Sequence, residues 1–225
     1  MAAIAAKAFD DRAFAAFLFD MDGTILSSIA AAERIWTRWA GRHGLDVAAF
    51  LPTIHGMRAV DTIRRLGLPG VDAEREAAAL TLDEIADVDG VHPIAGAVAF
   101  LAALPADRWA IVTSAPRDLA RARLAAAGIA PPALVVTAED VAQGKPRPDC
   151  YLLAAERLGC DARDCLVFED APAGIQAAEA AGATVAVVTA THHQPMATPH
   201  ATLAGFDQLR LRVGEDGLRL AAAGE

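Results

Sequence analysis

The sequence predicts an α/β protein: a parallel sheet with helices on both faces, and a block of helices inserted after the first strand. Three observations carry this. From about Val91 onward, short apolar runs alternate with helix-length patterned stretches, the signature of parallel strands joined by crossover helices. Between Ser27 and Val91 only helical spacing recurs. The polar clusters, finally, fall just after the apolar runs, at the strand ends where open α/β sheets bind ligands.

Taken in order, Phe14 to Phe19 is a short apolar run that reads as a buried strand. Ile29, Ala32, Trp36, Trp39, Ala40 and His43 recur at helical spacing, and Gly44 ends that helix. Thr53 to Met57 reads as a loop, and Arg58 to Leu66 as a helix stopped by Gly67 and Pro69. Asp72 to Asp89 is a longer helix with Asp72 as N-cap. Pro93 to Leu104 is expected to be helical, Trp109 to Thr113 a strand, Arg117 to Ala127 a helix, and Leu134 to Thr137 a strand. Asp149 to Leu158 is framed by Pro148 and Gly159, the usual start and stop of a helix. Cys165 to Phe168 and Thr184 to Val188 are strands around a helix from Ala173 to Ala181, and Thr202 to Gly205 is an edge strand. From Arg210 onward the pattern specifies nothing. The expected division is residues 1–26 plus 92–225 as the sheet domain and 27–91 as a helical domain able to hinge as a lid.

Composition narrows the function. At 225 residues and 54% apolar, the chain has material for one large core or a core plus a smaller one. No apolar run approaches the roughly 18 residues of a membrane span, and Met1 to Asp11 lacks the basic-then-apolar order of a leader. A net charge of −9 argues against nucleic acid as a partner. Three cysteines without a C-x-x-C pair point to a reducing, cytoplasmic setting and no zinc knuckle. Of the 20 basic residues only Lys7 and Lys145 are lysine, so a lysine here marks a place where a compact ammonium is wanted.

The chemistry begins at Phe17-Leu18-Phe19-Asp20-Met21-Asp22-Gly23-Thr24. A hydrophobic strand ending in two carboxylates must compensate their desolvation, and a bound cation does so. The two-residue period turns Asp20 and Asp22 the same way and Met21 the other. Gly23 permits the sharp turn, and the Thr24 hydroxyl is placed to help bind an anion. Thr113-Ser114 follow the second strand, Glu169-Asp170 follow Leu166-Val167-Phe168, and Lys145 sits in a stiff Gly144-Lys145-Pro146-Arg147-Pro148 loop. Alone, each has a plain alternative: Ser114 an N-cap, Glu169-Asp170 an acidic turn, Lys145 a solvated surface group. Together, in this order and on one rim, they point to a metal-assisted nucleophilic site.

As a set these segments resemble the four motifs of the haloacid dehalogenase superfamily: Phe19-Asp20-Met21-Asp22-Gly23-Thr24, then Val112-Thr113-Ser114, then Lys145, then Phe168-Glu169-Asp170-Ala171-Pro172-Ala173-Gly174. The helical insert is similar to that family's small α-helical cap, and the core to its Rossmann-like sheet. The later segments resemble its sugar-phosphatase and β-phosphoglucomutase-like branch. The resemblance implies that Asp20 is the nucleophile, forming an aspartyl-phosphate, and that Asp22 is the general acid and base. It implies Mg²⁺ on Asp20, Asp170 and the Asp22 carbonyl, with Glu169 acting directly or through water. Ser114, the Ala115 N–H, Thr24 and Lys145 would hold the phosphoryl oxygens. The implied substrate is a small phosphorylated metabolite, a sugar or polyol phosphate, acted on by a monomer or small homo-oligomer.

Within that family the residues discriminate. Asp22 favours phosphoryl transfer over dehalogenation, and the absence of lysine from residues 27–92 argues against an imine-forming phosphonatase. A mutase of this branch would carry histidine twelve residues after the nucleophile, where this chain has Ala32. That favours a hydrolase, with a phosphomutase as the alternative and a non-catalytic binding module as the more distant one. Specificity is assigned to His55, Gly56 and Arg58 between the insert's helices. Trp36 and Trp39 read as packing, and Glu84 and Asp87 as a solvated helix face. His192, His193 and His200 lack dependable metal-ligand spacing.

Overall fold

The computed structural model describes residues 12–222; the leader reading of Met1 to Asp11 lies outside the described residues. Six parallel strands form one sheet in the order β5-β4-β1-β6-β7-β8. They are β1 (Ala16–Phe19), β4 (Trp109–Val112), β5 (Val135–Val136), β6 (Cys165–Glu169), β7 (Thr184–Val188) and β8 (Ala201–Leu203). The chain leaves β1 toward β4 and β5, then returns to its other side for β6 to β8. β1 is therefore the switch point of the topology, where a crevice opens at the carboxyl ends. Helices α5 (Ala97–Ala102), α6 (Arg117–Ala126), α7 (Asp149–Arg157) and α8 (Pro172–Ala180) flank the sheet.

The two-residue period of β1 divides the core. Phe17 and Phe19 pack on one face with Phe100, Phe168, Phe206 and Trp109. Ala16 and Leu18 pack on the other with Tyr151, Ala154, Ile175 and Ala178. Register is set by this packing: Phe19 lies opposite Phe168, their rings stacked 4.6 Å apart. That pairing delivers Asp20 beside Glu169 and Asp170, and the Asp20 N–H donates to the Phe168 carbonyl at 2.9 Å.

The segment after β1 holds α1 (Ile29–Arg42), α2 (Val47–Phe50), α3 (Ala59–Leu66) and α4 (Ala73–Ala86). They share a hydrophobic cluster of their own, built on Ile35, Trp36, Trp39, Phe50, Ile63 and Leu80. Asp72 caps α4 as its spacing indicates, accepting from the Arg75 N–H at 3.1 Å. Trp36 and Trp39 are packing residues, edge to face with centroids 5.5 Å apart.

Three features differ from the sequence reading. The passages into and out of the helical segment pair as antiparallel β2 (Leu26–Ser27) and β3 (His92–Pro93); two residues each is too short to leave a periodicity. Pro93 consequently belongs to β3, and α5 begins only at Ala97. The tail after Gln208 is a hairpin, β9 (Leu209–Gly214) with β10 (Gly217–Ala222); its arginines alternate with an apolar face of which Leu209, Leu218 and Leu220 are buried.

Candidate active site

At the carboxyl end of β1 the structure gathers Asp20, Lys145, Glu169 and Asp170, all buried. Lys145 is 2% exposed, so it is not a surface group. Its ammonium donates to Asp20 Oδ1 at 2.6 Å, to Glu169 Oε1 at 2.7 Å and to the Val112 carbonyl at 3.1 Å. All three of its protons are thus used. Burial acts to lower the Lys145 pKa, but Asp20 and Glu169 outweigh it and raise it, keeping the ammonium charged. Burial pushes the Asp20 carboxyl up to about 7, against the pull of Lys145. Asp170 is raised well above the carboxylate range by burial and then by its neighbours Asp20 and Glu169.

Carboxylate oxygens of Asp20, Glu169 and Asp170 lie within 4.8 Å of one another, the one such metal-competent group among the described residues. An all-oxygen set with mutually repelling carboxylates suits a hard divalent cation such as Mg²⁺. The backbone leaves room for this: Gly23, at φ +87°, faces the Asp170 carboxylate, and a Cβ there would collide with it. Glu169, expected to act on the ion directly or through water, has both oxygens engaged by the protein. Oε1 accepts from Lys145 and from the Tyr151 hydroxyl at 2.8 Å, and Oε2 accepts from the N–H groups of Asp170 and Ala171. With both oxygens doubly engaged, it anchors Lys145 and the β6 turn.

Asp22 lines the same cavity as Asp20, while Met21 packs into the core. Asp22 Oδ1 accepts from the Ser28 hydroxyl at 2.6 Å and from Arg123 Nη1 at 3.0 Å. Arg123 Nη2 donates to Glu84 Oε1 at 3.1 Å. Glu84 is therefore buried at the cavity, not on a solvated face, and burial raises its pKa against the pull of Arg123. Asp87 does lie outward, paired with Arg34 at 2.6 Å.

Other sequence-selected residues are redirected. Thr24 is fully buried and donates to Asp170 Oδ1 at 3.3 Å; no helix starts near enough for it to serve an anion there, since α1 begins at Ile29. The Ala115 N–H is taken by Thr113 Oγ1 at 3.0 Å, a local turn that uses up the donor. Ser114 is not an N-cap; its hydroxyl donates to the Gly56 carbonyl at 3.0 Å. Gly56 approaches Ala171 so closely that a Cβ would strike it. His55 and Gly56 line the cavity, and burial lowers the His55 pKa against Glu33 and Asp22, favouring neutral imidazole. Arg58 turns away: it pairs with Asp61 at 2.6 Å and donates to the carbonyls of Val141 and Ala142. His192 contacts the Asp170 carbonyl at 2.9 Å and His200 contacts Glu179 at 2.8 Å, so the histidine loop forms no common site.

Sequence reasoning missed Arg123, Glu84, Ser28 and Tyr151. The first two left a signal. Arg123 interrupts the buried stripe of Leu119, Ala120 and Leu124, and Glu84 follows Leu80 by four residues on the buried side of α4. A charge in an apolar stripe is paired or functional. Tyr151 is the chain's single tyrosine, one helical turn past Lys145's loop.

Comparison with known proteins identifies the family. The model of the haloacid dehalogenase-like hydrolases matches residues 14–182. Hexitol phosphatase A of Escherichia coli K12 is 43% identical over 186 residues, covering 80% of this chain and 85% of that protein. 2-Deoxyglucose-6-phosphate phosphatase 1 of Saccharomyces cerevisiae is 34% identical, covering 78% and 80%. A haloacid dehalogenase-family hydrolase from Deinococcus radiodurans R1, solved with bound phosphate and sodium, superposes with a TM-score of 0.61 at 27% identity, covering 85% of this chain and 91% of that one. Among the described residues no helix is long and apolar enough to cross a membrane. This chain is an enzyme of the haloacid dehalogenase-like hydrolase family.

Proposed function

We propose that the protein is a Mg²⁺-dependent phosphatase of small sugar or polyol phosphates, working through an aspartyl-phosphate on Asp20, with residues 27–91 as its cap. The observation that carries this reading is the convergence of Asp20, Asp170 and Lys145 at the end of β1. The substrate class rests on the likeness to hexitol and 2-deoxyglucose-6-phosphate phosphatases.

Asp20 attacks phosphorus; its O–P bond forms as the bond to the substrate oxygen breaks, and Asp22 gives that oxygen a proton. Water then attacks the phosphoryl group, Asp22 takes the proton, and phosphate leaves Asp20. Ser114, its hydroxyl turning from Gly56, holds a phosphoryl oxygen, and the Lys145 ammonium, bonded to Asp20 and Glu169, supplies positive charge beside the transferred group. The carboxylates of Asp20 and Asp170 and the Asp22 carbonyl would hold Mg²⁺, which offsets the repulsion between an anionic nucleophile and an anionic phosphate. Ala32 brings only a methyl group to the cavity beside Asp22, in keeping with a hydrolase over a mutase.

A phosphate-release screen over hexitol phosphates, aldose 6-phosphates and glycerol phosphate tests this. We expect turnover that EDTA abolishes and Mg²⁺ restores, and none from Asp20→Asn. Silence of the wild type over the panel, or an active Asp20→Asn, contradicts it.

A further inference from the structure

Arg123 lies on α6 of the sheet domain, 6% exposed, and its guanidinium spans two carboxylates from different parts of the chain. Nη1 reaches Asp22 Oδ1 at 3.0 Å and Nη2 reaches Glu84 Oε1, on helix α4, at 3.1 Å. The Ser28 hydroxyl, just past β2, joins at the same Asp22 oxygen at 2.6 Å. Both donors therefore fall on Oδ1. Among the described residues Oδ2 has no hydrogen-bond donor, and the carboxylate lines the cavity that also holds Asp20, Ser114 and His55. Such an arrangement fixes the plane of the carboxylate and reserves one oxygen for the reacting group. A lysine here would bring a single nitrogen in place of the two Nη atoms that reach Asp22 and Glu84 separately.

A buried arginine between two acids has a structural cost, because each charge is taken from water. Had the site needed only packing here, Leu119 and Leu124 set the pattern that an apolar side chain would complete. The charge is retained where α4 packs against α6 and where Asp22 must be oriented. Glu84 belongs to the segment that opens and closes in the proposed cap motion. Its hold on Arg123 exists only when α4 rests on the sheet domain.

We propose that Arg123 is a positioning residue: gripped by Glu84 when the cap is closed, it fixes Asp22 so that Oδ2 faces the leaving oxygen, and so couples closure to proton delivery. This rests on the assignment of Asp22 as general acid given above.

The leaving group supplies the test. A sugar or polyol alkoxide must be protonated as it departs, whereas p-nitrophenolate leaves without help. Since kcat/KM reports the steps through release of the alcohol, a defect confined to the acid lowers it for the alkyl phosphate and spares the aryl phosphate. We would measure kcat/KM with Mg²⁺ for a hexitol phosphate and for p-nitrophenyl phosphate in wild type, Arg123→Gln, Arg123→Lys and Glu84→Gln, with Asp22→Asn as reference. Arg123→Gln should lose about 100-fold on the hexitol phosphate, the scale of a displaced acid group, and less than about 5-fold on p-nitrophenyl phosphate. Arg123→Lys should recover part of the selective loss, and Glu84→Gln should show a smaller one, about tenfold.

Equal losses on both substrates, or no loss, overturn the proposal while leaving the phosphatase reading intact. If Arg123→Gln does not fold, Arg123→Lys and Glu84→Gln decide by the same ratio. A wild type silent on both substrates removes the phosphatase reading, and this proposal with it.

Discussion

Asp20 and Asp22 stand two residues apart and are held by opposite means. Asp20 takes its hydrogen bonds from the sheet domain: its amide is tied to β6, its carboxylate to Lys145, and Lys145 in turn to Glu169. Asp22, with a side chain 27% exposed, is held through Arg123 and Ser28, and Arg123 is held by a helix of the inserted block. The group assigned to attack is thus buried and held from one side, while the group assigned to move protons depends on how two parts of the molecule meet. A nucleophile gains from preorganisation at all times. An acid that is aligned only on closure limits proton transfer to the shielded complex.

The sharpest way to break this contrast is to remove the central charge from each. Lys145→Met leaves Asp20 and Glu169 facing one another without a cation. It should cost roughly 3–5 kcal/mol, the usual penalty for orphaning a buried charge, read by urea unfolding without added metal. Arg123→Gln should cost clearly less in the same assay, because Asp22 can still be hydrated and Glu84, whose pKa burial already raises, can take up a proton. Equal costs would mean that the two centres are built alike.

The next effect is in the pH dependence of stability. Asp20 rises from 3.8 to about 7 in the folded protein, so between those values the native state binds more proton than the unfolded state. Without metal, stability should therefore fall as pH rises through that window. A cation on Asp20 and Asp170 cancels the penalty, so the rise in Tm on adding Mg²⁺ should be larger at pH 8 than at pH 5. A shift independent of pH would place the ion elsewhere.

The smallest effect concerns Tyr151, whose hydroxyl burial and Glu169 keep protonated. Tyr151→Phe removes one of the two donors on Glu169 Oε1 and should cost about 1 kcal/mol, with turnover nearly kept because Lys145 stays on the same oxygen. A loss as large as that of Lys145→Met would make Tyr151, not Lys145, the keystone of the centre.

The same contrast governs what could be read from the sequence. The sheet-held centre was legible because its residues sit at the ends of apolar runs: Asp20 after Phe19, Ser114 after Val112, Glu169 and Asp170 after Phe168. Lys145 stood out as one of two lysines in an arginine-rich chain. The bridging centre was obscure because Glu84 and Arg123 lie in helices, 39 residues apart, and each resembles an ordinary solvated charge until the tertiary packing is known. Arg58 was misdirected for the converse reason: its position beside Gly56 suggested substrate, but the loop before Lys145 offers it two carbonyls. The β2–β3 pair went unseen because two-residue strands have no periodicity to detect, whereas the terminal hairpin does carry a two-residue alternation, Leu209-Arg210-Leu211-Arg212-Val213, that the sequence reading left unused.

The proposed reaction turns on Asp20 accepting the phosphoryl group. Acid-quenched turnover with a radiolabelled hexitol phosphate, followed by peptide mapping, reads this directly. We expect a hydroxylamine-labile label on the peptide that contains Asp20. Phosphate release with the label on another peptide, or with no labelled peptide at any quench time, would contradict it.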